Sequence, residues 1–404
     1  MAELTHWIGA AEAARRMGIK QASLYSYVSR GVLTRRKSAT GRTSLFSAAE
    51  VDALARRGKP RRTGGRPELV IETALTEISG DRLRYRGADA TGLAARRSLE
   101  EVAGLLWTGT LGDVGPPWHA TSEAIAAGSA AQSALPPGTL PLERLQVIVP
   151  ALAAADPLRL HLDRPAVIAA GKAVIAGMVD CLPAAAGPMG DSIADRLAAR
   201  LCHRAPARAM AGALRAALVL LADHELAAST LAARVAASVR ADPYAVVATG
   251  LGAVGGSLHG GASLGAEVML RSAAAPGDAA KVVGDLLRRG ERVPGFGHFV
   301  YQSSDPRCVL LLKLVRRAAP KSRRLAVADA VVAEAARRAL PAPNIEFALA
   351  ALTTTADMIP GASEAVFAVA RSVGWIAHAI EEYNRDVPIR PRGVYTGPAA
   401  APVT

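Results

Sequence analysis

The sequence predicts a mainly α-helical protein in which a small basic domain precedes a much longer helical one. Half of the 404 residues are hydrophobic, which is enough for a sizeable core and for more than one domain. Alanine is abundant and aromatic residues make up only 4%, a balance that favours closely packed helices over sheet. Near residue 69 a Gly/Pro/Arg-rich stretch gives way to long Ala/Leu/Val-rich helical patterns, which indicates a domain boundary.

The net charge of +13 is concentrated at the N-terminus. Residues 1–68 hold fourteen Lys/Arg and five Asp/Glu, a net charge of +9, which leaves +4 for the other 336 residues. A basic terminal segment is typical of a protein that meets a phosphate backbone, and equally of a solubilising arm. Composition alone leaves both interpretations open.

Several classes of protein are disfavoured by the sequence. No apolar run reaches the length of a membrane span without a charge or a Gly/Pro break, and the N-terminus lacks the order of a signal peptide. Cys181, Cys202 and Cys308 are widely spaced, so neither a disulfide framework nor a thiolate metal site is indicated. No metal-ligand spacing and no Walker-type loop occurs. We therefore expect a cytoplasmic protein without a metal.

The sequence pattern of residues 1–58 predicts a compact domain of three helices and a hairpin. The helix AAEAARRM is closed by Gly18, and QASLYSYVSR forms a second helix that ends at Gly31. A basic hairpin, VLTRRKSATGRTSLF, follows, and then a third helix with Ser47 as N-cap and Glu50 completing a capping box. This layout is a winged helix-turn-helix, and it resembles the MerR-like and excisionase-like domains.

That resemblance implies DNA as a partner, with the second helix in the major groove and the wing on phosphates. The candidate DNA contacts are Gln21, Ser23 and Arg30 on the helix and Arg35, Arg36, Lys37 and Arg42 on the wing. A vestigial or protein-binding domain is the alternative, because Leu24 and Val28 form a core in either case. Residues 59–68 are predicted to be a basic linker.

Four segments of the long domain embed a histidine or a carboxylate in apolar helical surroundings. They are LADHELAAST (221–230), GGSLHGGAS (255–263), VPGFGHFVYQSSDPR (293–307) and PNIEFALA (343–350). Glycines flank His259 and His298, so we expect both at helix ends or turns where backbone can approach a ligand closely. By themselves, these residues indicate an acid–base enzyme that acts on an anionic substrate.

The remaining histidines carry no such context. A single histidine is usually a surface residue or a satisfied core residue, and we interpret the others in this way: His6, His119, His161, His203 and His378. By the same standard, Arg371 could be a cation on a helix surface.

Six segments, in order along the chain, resemble the signature segments of citrate synthases. They are LADHELAAST, GGSLHGGAS, GFGH-x-VY-x-x-x-DPR, PNIEF, FAVARSVGWIAHAIEE and RPRGVYTGP, and the resemblance covers residues 69–398. It implies an all-α homodimer in which a large domain and a smaller mobile one, roughly residues 262–355, close over oxaloacetate and acetyl-CoA. The implied reaction is an aldol-type condensation followed by thioester hydrolysis, with acetyl-CoA as a substrate and no cofactor.

The resemblance also implies catalytic roles. Glu346 is the base that removes a proton from the thioester α-carbon, and His259 donates to the thioester carbonyl so that the enolate oxygen is stabilised. His298 polarises the carbonyl of the electrophile.

Substrate binding is implied for four further residues, since guanidinium groups hold carboxylates in a bidentate way. Arg307 and Arg371 match the family's arginines from the same subunit, and Arg390 matches the one that the partner subunit supplies. His224 matches a substrate-binding histidine.

The sequence departs from the family pattern at three positions. Glu346 stands where the family has Asp, and the extra methylene moves the carboxylate by roughly an ångström, a misplacement that can cost about a hundredfold in rate. Ser263 stands where Asn usually follows HGGA. Gln302 replaces a residue that is commonly basic, which is expected to weaken a contact to the CoA phosphates.

These observations support an acyltransferase of the citrate synthase type. A variant of this hypothesis is 2-methylcitrate synthesis from propionyl-CoA, which differs by one methylene in the acyl pocket. The alternative from another class is a transcriptional regulator, in which the helix-turn-helix binds DNA and the synthase-like domain senses oxaloacetate, citrate or an acyl-CoA.

Overall fold

The structure, a computed structural model, describes residues 7–17, 21–29, 33–38, 43–51, 70–112, 115–187, 189–301, 303–385 and 387–397. The chain divides into two compact units, Met1–Ile71 and Glu72–Thr404. The predicted linker, residues 59–68, lies outside the described residues, as do Arg30, Arg42 and Gln302.

The N-terminal unit packs two helices against a small antiparallel sheet. Strands β1 (Trp7–Gly9), β2 (Arg35–Lys37) and β3 (Ser44–Ser47) lie in the order β1-β3-β2, and the helices are α1 (Ala10–Met17) and α2 (Gln21–Ser29). A further helical stretch begins at residue 48. Ile8, Leu24, Phe46 and Val51 are among the residues that form a buried core between these elements.

Two details of this unit differ from the sequence-based prediction. Residues Trp7–Gly9 form a strand that pairs with β3, so β3 of the predicted hairpin is the central strand of a three-stranded sheet. The Ser47 hydroxyl accepts the Glu50 amide at 3.4 Å, but the Glu50 carboxylate accepts from Thr34. The predicted capping box is therefore wrong in its second half, because Thr34 on the neighbouring chain segment takes the carboxylate.

The second unit is mainly helical. Its helices are α3 (Ala90–Ala94), α4 (Leu99–Thr108), α5 (Ser122–Ser133), α6 (Pro141–Ala154), α7 (Arg164–Asp180), α8 (Ile193–Leu201), α9 (Arg208–Leu221), α10 (Ala228–Ser238), α11 (Pro243–Val254), α12 (Gly261–Ser272), α13 (Ala279–Arg288), α14 (Pro306–Ala318), α15 (Arg323–Arg337), α16 (Ile345–Thr355) and α17 (Ala362–Tyr383), with a 3₁₀ turn at Pro276–Asp278. A single apolar core extends through this unit.

A three-stranded meander near the start of this unit was not expected from the sequence. Strands β4 (Thr76–Ser79), β5 (Arg82–Tyr85) and β6 (Ala88–Asp89) pair antiparallel in that order. Leu83 and Tyr85 are buried while Arg82 and Arg84 are not, which is the alternation of a half-buried strand. Four residues are too short a run for this period to stand out among helical patterns.

Helix α17 forms the centre of the second unit. Of its 22 residues, all except Glu381 are buried. Gly374 lets this helix approach the end of α9 closely, because a Cβ there would lie 2.4 Å from the carbonyl oxygen of Ala222. The helix therefore passes directly beneath the segment that follows α9, which carries the first group of site residues.

None of the described helices combines the length and the apolarity that crossing a bilayer requires. Within the same described ranges, no three His, Cys, Asp or Glu side chains are grouped so that they could hold a metal ion.

Candidate active site

His224 lies in a tight loop between α9 and α10. Glu225, the next residue, has a φ of 52°, a left-handed conformation that is strained for a residue with a side chain. The His224 ring is buried, and its Nε2 lies 3.0 Å from the Tyr301 hydroxyl. The loop therefore holds His224 in one orientation against the segment that precedes α14.

His298 is placed among hydrogen-bond donors on both sides of its ring. Its Nδ1 accepts from the amides of Val300 and Tyr301 at 3.0 and 3.2 Å. Its Nε2 lies 3.2 Å from the Arg307 Nη2 atom. A neutral imidazole carries one proton, on either Nδ1 or Nε2. In either position this N–H faces another hydrogen-bond donor, the two backbone amides at Nδ1 or Arg307 at Nε2. An acceptor oxygen between Nε2 and Arg307 would satisfy both groups.

The backbone around His298 comes close to helix α16. Gly295 has a φ of 79°, and a Cβ at this position would lie 2.7 Å from the Cβ of Phe347. Asn344 joins the two segments, since its amide donates to Gly295 and its side chain donates to Gly297, both through carbonyl oxygens. The glycines beside His298 therefore allow a close backbone approach, as the sequence pattern predicts.

Asp305 connects Arg307 to helix α16. Its carboxylate accepts from the Arg307 Nε and Nη2 atoms at 3.0 and 2.9 Å, and from the Ile345 amide at 2.9 Å. It also accepts the Arg307 amide as the N-cap of α14. Both side chains are buried, so one carboxylate fixes the arginine and the first residue of α16 together.

Glu346 lies in the first turn of α16, where the Asn344 side chain caps the helix by accepting its amide at 3.1 Å. Burial raises the pKa of Glu346, and the positive charge of Arg307 opposes this effect. A carboxylate with a raised pKa is a stronger base, which suits proton abstraction from carbon.

His259 lies in the turn that leads into α12. Its Nε2 is 2.7 Å from the Ser229 hydroxyl, which also accepts from the Trp375 indole N–H at 3.3 Å. The hydroxyl proton of Ser229 is therefore free to point at Nε2, which leaves the imidazole proton on Nδ1. The opposite face of the His259 ring meets the edge of Phe367.

Arg371 is buried in the middle of α17. Its Nε donates to the Leu221 carbonyl at 2.7 Å, and its guanidinium lies 4.7 Å from the centre of the Phe367 ring. Burial lowers the pKa of Arg371 to about 10, so it stays charged at neutral pH. The sequence-based alternative of a cation on a helix surface is wrong, because α17 has no solvated face at this position.

All three histidines of the site are neutral at physiological pH. Burial, followed by the charge of Arg307, lowers the pKa of His298 to about 4. Burial and Arg371 lower the pKa of His259 to about 4, and burial holds that of His224 well below its ordinary value. Neutral imidazoles can donate one hydrogen bond each, which suits polarising a carbonyl rather than binding a carboxylate by charge.

A buried polar network supports the His224 loop from below. Arg234 donates to Glu382 at 2.7 Å and to the His378 Nδ1 atom at 2.7 Å. Because an arginine only donates, His378 holds its proton on Nε2, which lies 3.3 Å from the Asp223 carboxylate. Burial raises the pKa of Asp223, but His378, Arg371 and Thr76 together bring it below its ordinary value. The network thus anchors the residue next to His224.

The structure brings six of the seven predicted site residues of the second unit to one region. His224, His298 and Arg307 are joined by direct contacts through Tyr301. Glu346 and Arg371 interact electrostatically with Arg307, while Phe367 links Arg371 to His259.

Arg390 does not join this cluster within its own chain. It is exposed in the segment 387–397 that follows α17. With the described residues of its own chain it forms neither a hydrogen bond nor an ion pair.

Ser263 and the candidate DNA contacts are also placed by the structure. Ser263 is buried and donates to the Gly260 carbonyl at 2.7 Å. In the N-terminal unit, Gln21 is exposed on α2 and Ser23 is half-buried. The exposed candidates on β2 are Arg35, Arg36 and Lys37.

Comparison with known proteins assigns the second unit to a protein family. A family model described as "Citrate synthase, C-terminal domain" matches residues 64–392. The chain belongs to the citrate synthase family. The predicted membership is thereby confirmed, and with it an acyltransferase of the citrate synthase type. The match begins at residue 64, so the resemblance of the N-terminal unit to MerR-like domains stays a prediction.

Individual citrate synthases are similar over most of their length. Citrate synthase from Haloferax volcanii is 34% identical over 356 residues, which cover 81% of this chain and 94% of that relative. A 2-methylcitrate synthase from Mycobacterium tuberculosis is 28% identical over 81% of this chain and 88% of its own.

The fold is also that of a solved citrate synthase. The enzyme from Thermoplasma acidophilum, in a ternary complex with carboxymethyl coenzyme A and oxaloacetate, matches with a TM-score of 0.68 at 26% identity. The match covers 83% of this chain and 96% of that one. The predicted mainly helical fold of the second unit is confirmed.

Several residues that build the site were missed by sequence reasoning. Tyr301 and Asp305 lie inside the singled-out segment 293–307. The signal that could have identified them is their polar groups, which are close in sequence to His298 and Arg307. Ser229 lies in the same singled-out segment, 221–230, as His224. No local signal pointed to His378 and Arg234, whose partners are about 150 residues away in the sequence.

Proposed function

We propose that the chain condenses acetyl-CoA with oxaloacetate to give citrate and CoA. The observation that supports this best is the pair of donors at His298 Nε2 and Arg307 Nη2, which lie 3.2 Å apart. An oxygen of a keto acid placed between them would accept from both groups. Polarisation of a ketone carbonyl is what the electrophile of this condensation needs.

The acyl-CoA would be activated from the other side. Glu346 removes a proton from the thioester α-carbon, and the Nδ1–H of His259 stabilises the enolate oxygen. The carbanion then attacks the ketone carbon while His298 and Arg307 take up the developing charge. Arg371 and Arg307 hold the carboxylates of the keto acid by charge, and the neutral His224 contributes a hydrogen bond to the same substrate. Thioester hydrolysis releases CoA, and no cofactor is required.

Closure of a smaller domain, residues 262–355, is part of this proposal. His259 lies just outside that range, whereas His298, Arg307 and Glu346 lie within it. Relative motion of the two parts would bring the groups that bind the two substrates together and exclude water from the enolate.

The test is a thiol-release assay of the purified protein with oxaloacetate and either acetyl-CoA or propionyl-CoA. Release of CoA with acetyl-CoA supports citrate synthesis, and no release with either thioester contradicts the proposal. A clear preference for propionyl-CoA assigns the chain to 2-methylcitrate synthesis. One methylene in an acyl pocket is worth about 1–3 kcal/mol, so a ratio of roughly 10 to 200 between the two is the expected scale.

We also propose that the protein is a homodimer in which Arg390 completes the partner's site. Arg390 is exposed and lies in an extended segment at the end of the chain, so it is available to a second subunit.

Hybrid dimers test the shared site. Neither Arg390→Ala nor Glu346→Gln dimers should be active, but mixing the two proteins should restore turnover, because half of the sites in a hybrid have all residues intact. The thiol-release rate is measured after subunit exchange. No recovery after confirmed exchange would show that Arg390 acts in its own chain.

For the N-terminal unit we propose DNA binding through a winged helix-turn-helix. The supporting observation is the exposed basic strand β2, where Arg35 lies 5.5 Å from the Tyr25 ring and Arg36 lies 4.4 Å from the Trp7 ring. These rings hold the guanidinium groups in place beside α2, whose Gln21 and Ser23 would face bases. Two such units in a dimer would favour a palindromic site.

We expect the full-length protein to bind DNA with an affinity that falls steeply with salt, because phosphate contacts release counterions. Replacing both Arg35 and Arg36 with Ala should weaken binding to all sequences and flatten the salt dependence. Turnover of the same variant should stay unchanged. Electrophoretic mobility shifts with genomic fragments provide the measurement, and no shift at low salt would contradict DNA binding.

A further inference from the structure

A second basic concavity lies on the second unit, apart from the candidate active site. It is formed where the end of α3 meets the start of α4, beside the first half of α9 and the end of α14. Its volume is about 820 Å³, within the range typical of small-molecule sites. Five arginines line it: Arg96, Arg97, Arg208, Arg215 and Arg317.

The positive charge of this pocket is largely uncompensated. Glu101 is the one carboxylate in its lining, and it pairs with Arg97 at 2.9 Å. The other four guanidinium groups form no ion pair with a carboxylate of the described residues. Like charges gathered around one concavity repel each other, and a bound anion would relieve that repulsion.

The start of α9 adds further donors to the same pocket. Arg208 and Ala209 are its first two residues, and the N-cap, Ala207, provides no side-chain acceptor. The free amides and the positive end of the helix dipole both favour an anion. Most of the other lining residues are alanines and Gly212, whose small side chains leave the space between the arginines open to a ligand.

We propose that this pocket binds a compact oligophosphate anion, either a nucleoside triphosphate or an inorganic oligophosphate. Arginine holds phosphate oxygens in a bidentate way, and linked phosphates can reach guanidinium groups from three segments of chain at the same time. The volume of this open concavity is that of a small-molecule site, and its arginines surround one hollow rather than follow a continuous track such as a nucleic-acid backbone would need.

The pocket is separate from the site proposed for the condensation. Arg307 and Arg317 are ten residues apart on α14, which places them about 15 Å apart along the helix axis. Helix α9 likewise begins at the pocket and ends at the loop of His224. A ligand here would therefore contact the end of α14 that is remote from Arg307 and the end of α9 that is remote from the His224 loop.

Calorimetric titration of the full-length protein at low salt tests the proposal, with ATP, inorganic triphosphate and AMP as probes. We expect ATP or triphosphate to bind at least ten times more tightly than AMP. The double variant Arg215→Gln/Arg317→Gln should bind the same probe about tenfold more weakly or worse, because two charge-assisted contacts are lost. Arg316→Gln is the matched control, since Arg316 lies next to Arg317 but pairs with Asp329 outside the pocket.

The outcomes separate the possible ligands. Tighter binding of ATP than of triphosphate identifies a nucleotide site, and equal binding identifies a site for the phosphate chain alone. The bound probe should also raise the Tm of the wild type but not that of the double variant. The proposal is overturned if neither ATP nor triphosphate binds, or if the double variant binds as tightly as the wild type. Thiol release by the double variant, expected to be unchanged, shows that its fold is intact.

Discussion

Glu346→Gln is expected to lower CoA release by about 10² to 10⁴-fold while oxaloacetate binding stays nearly intact. The amide keeps the size and the helical position of the side chain but cannot accept a proton from carbon, and general-base catalysis contributes on this scale. Stopped turnover in the thiol-release assay, combined with an unchanged dissociation constant for oxaloacetate, is the predicted pair of results. Lost binding with retained turnover would contradict the assignment of the base.

Two further variants sharpen this prediction. Glu364→Gln is a matched control, because burial also raises the pKa of Glu364, to about 7, and its acidic neighbours are Glu267 and Glu143 rather than the site. It should retain turnover. Glu346→Asp should raise the rate, since Asp restores the reach that is usual in the family. A slower Asp variant would mean that the backbone around α16 has adapted to the longer side chain.

Asp305→Ala is expected to destabilise the second unit by about 3–5 kcal/mol. The change leaves the buried Arg307 charge without its partner and removes the acceptor of the Ile345 amide. Urea unfolding provides the measurement. Asp329→Ala is the comparison, because it removes the partner of Arg316, which lies on the same helix as Arg307. Both groups of that pair are partly exposed, so the free energy of unfolding should fall much less. Equal losses in the two variants would show that the Asp305 pair contributes no more than a surface pair.

The same substitution should weaken catalysis as well as stability. Asp305 holds Arg307 at His298 and also holds the first residue of α16, the helix of Glu346. Without it, Arg307 and Glu346, the proposed substrate-binding arginine and base, lose their common support, so both KM for oxaloacetate and kcat should worsen under conditions where the variant is still folded.

The sequence alone was sufficient to predict the parts of the site that depend on residues close together in the chain. The glycines beside His298 predicted a turn with close backbone approach, and Gly295 provides it against α16. Asn344 before Glu346 is a typical N-cap, and it places the carboxylate in the first turn of its helix. Ordered motifs then indicated the family, which composition alone could not.

Contacts between distant segments could not be predicted in this way. His378 was expected to be an ordinary satisfied histidine, and the structure shows what satisfies it: Arg234 on one side and Asp223 on the other. Both partners are more than 140 residues away, and only the packing of α10 against α17 brings them together. Strand β1 was missed for a similar reason, since its three residues become a strand only by pairing with β3.

The burial of α17 on all sides has a consequence for how the protein folds. A helix without a solvated face gains little stability until the helices around it are in place, since tertiary packing rather than propensity stabilises most helices. Arg371 lies at the middle of this helix, so its guanidinium reaches the site only when the surrounding helices have assembled. Partly folded chains therefore lack the complete site, and a ligand of this site would stabilise only the fully assembled unit.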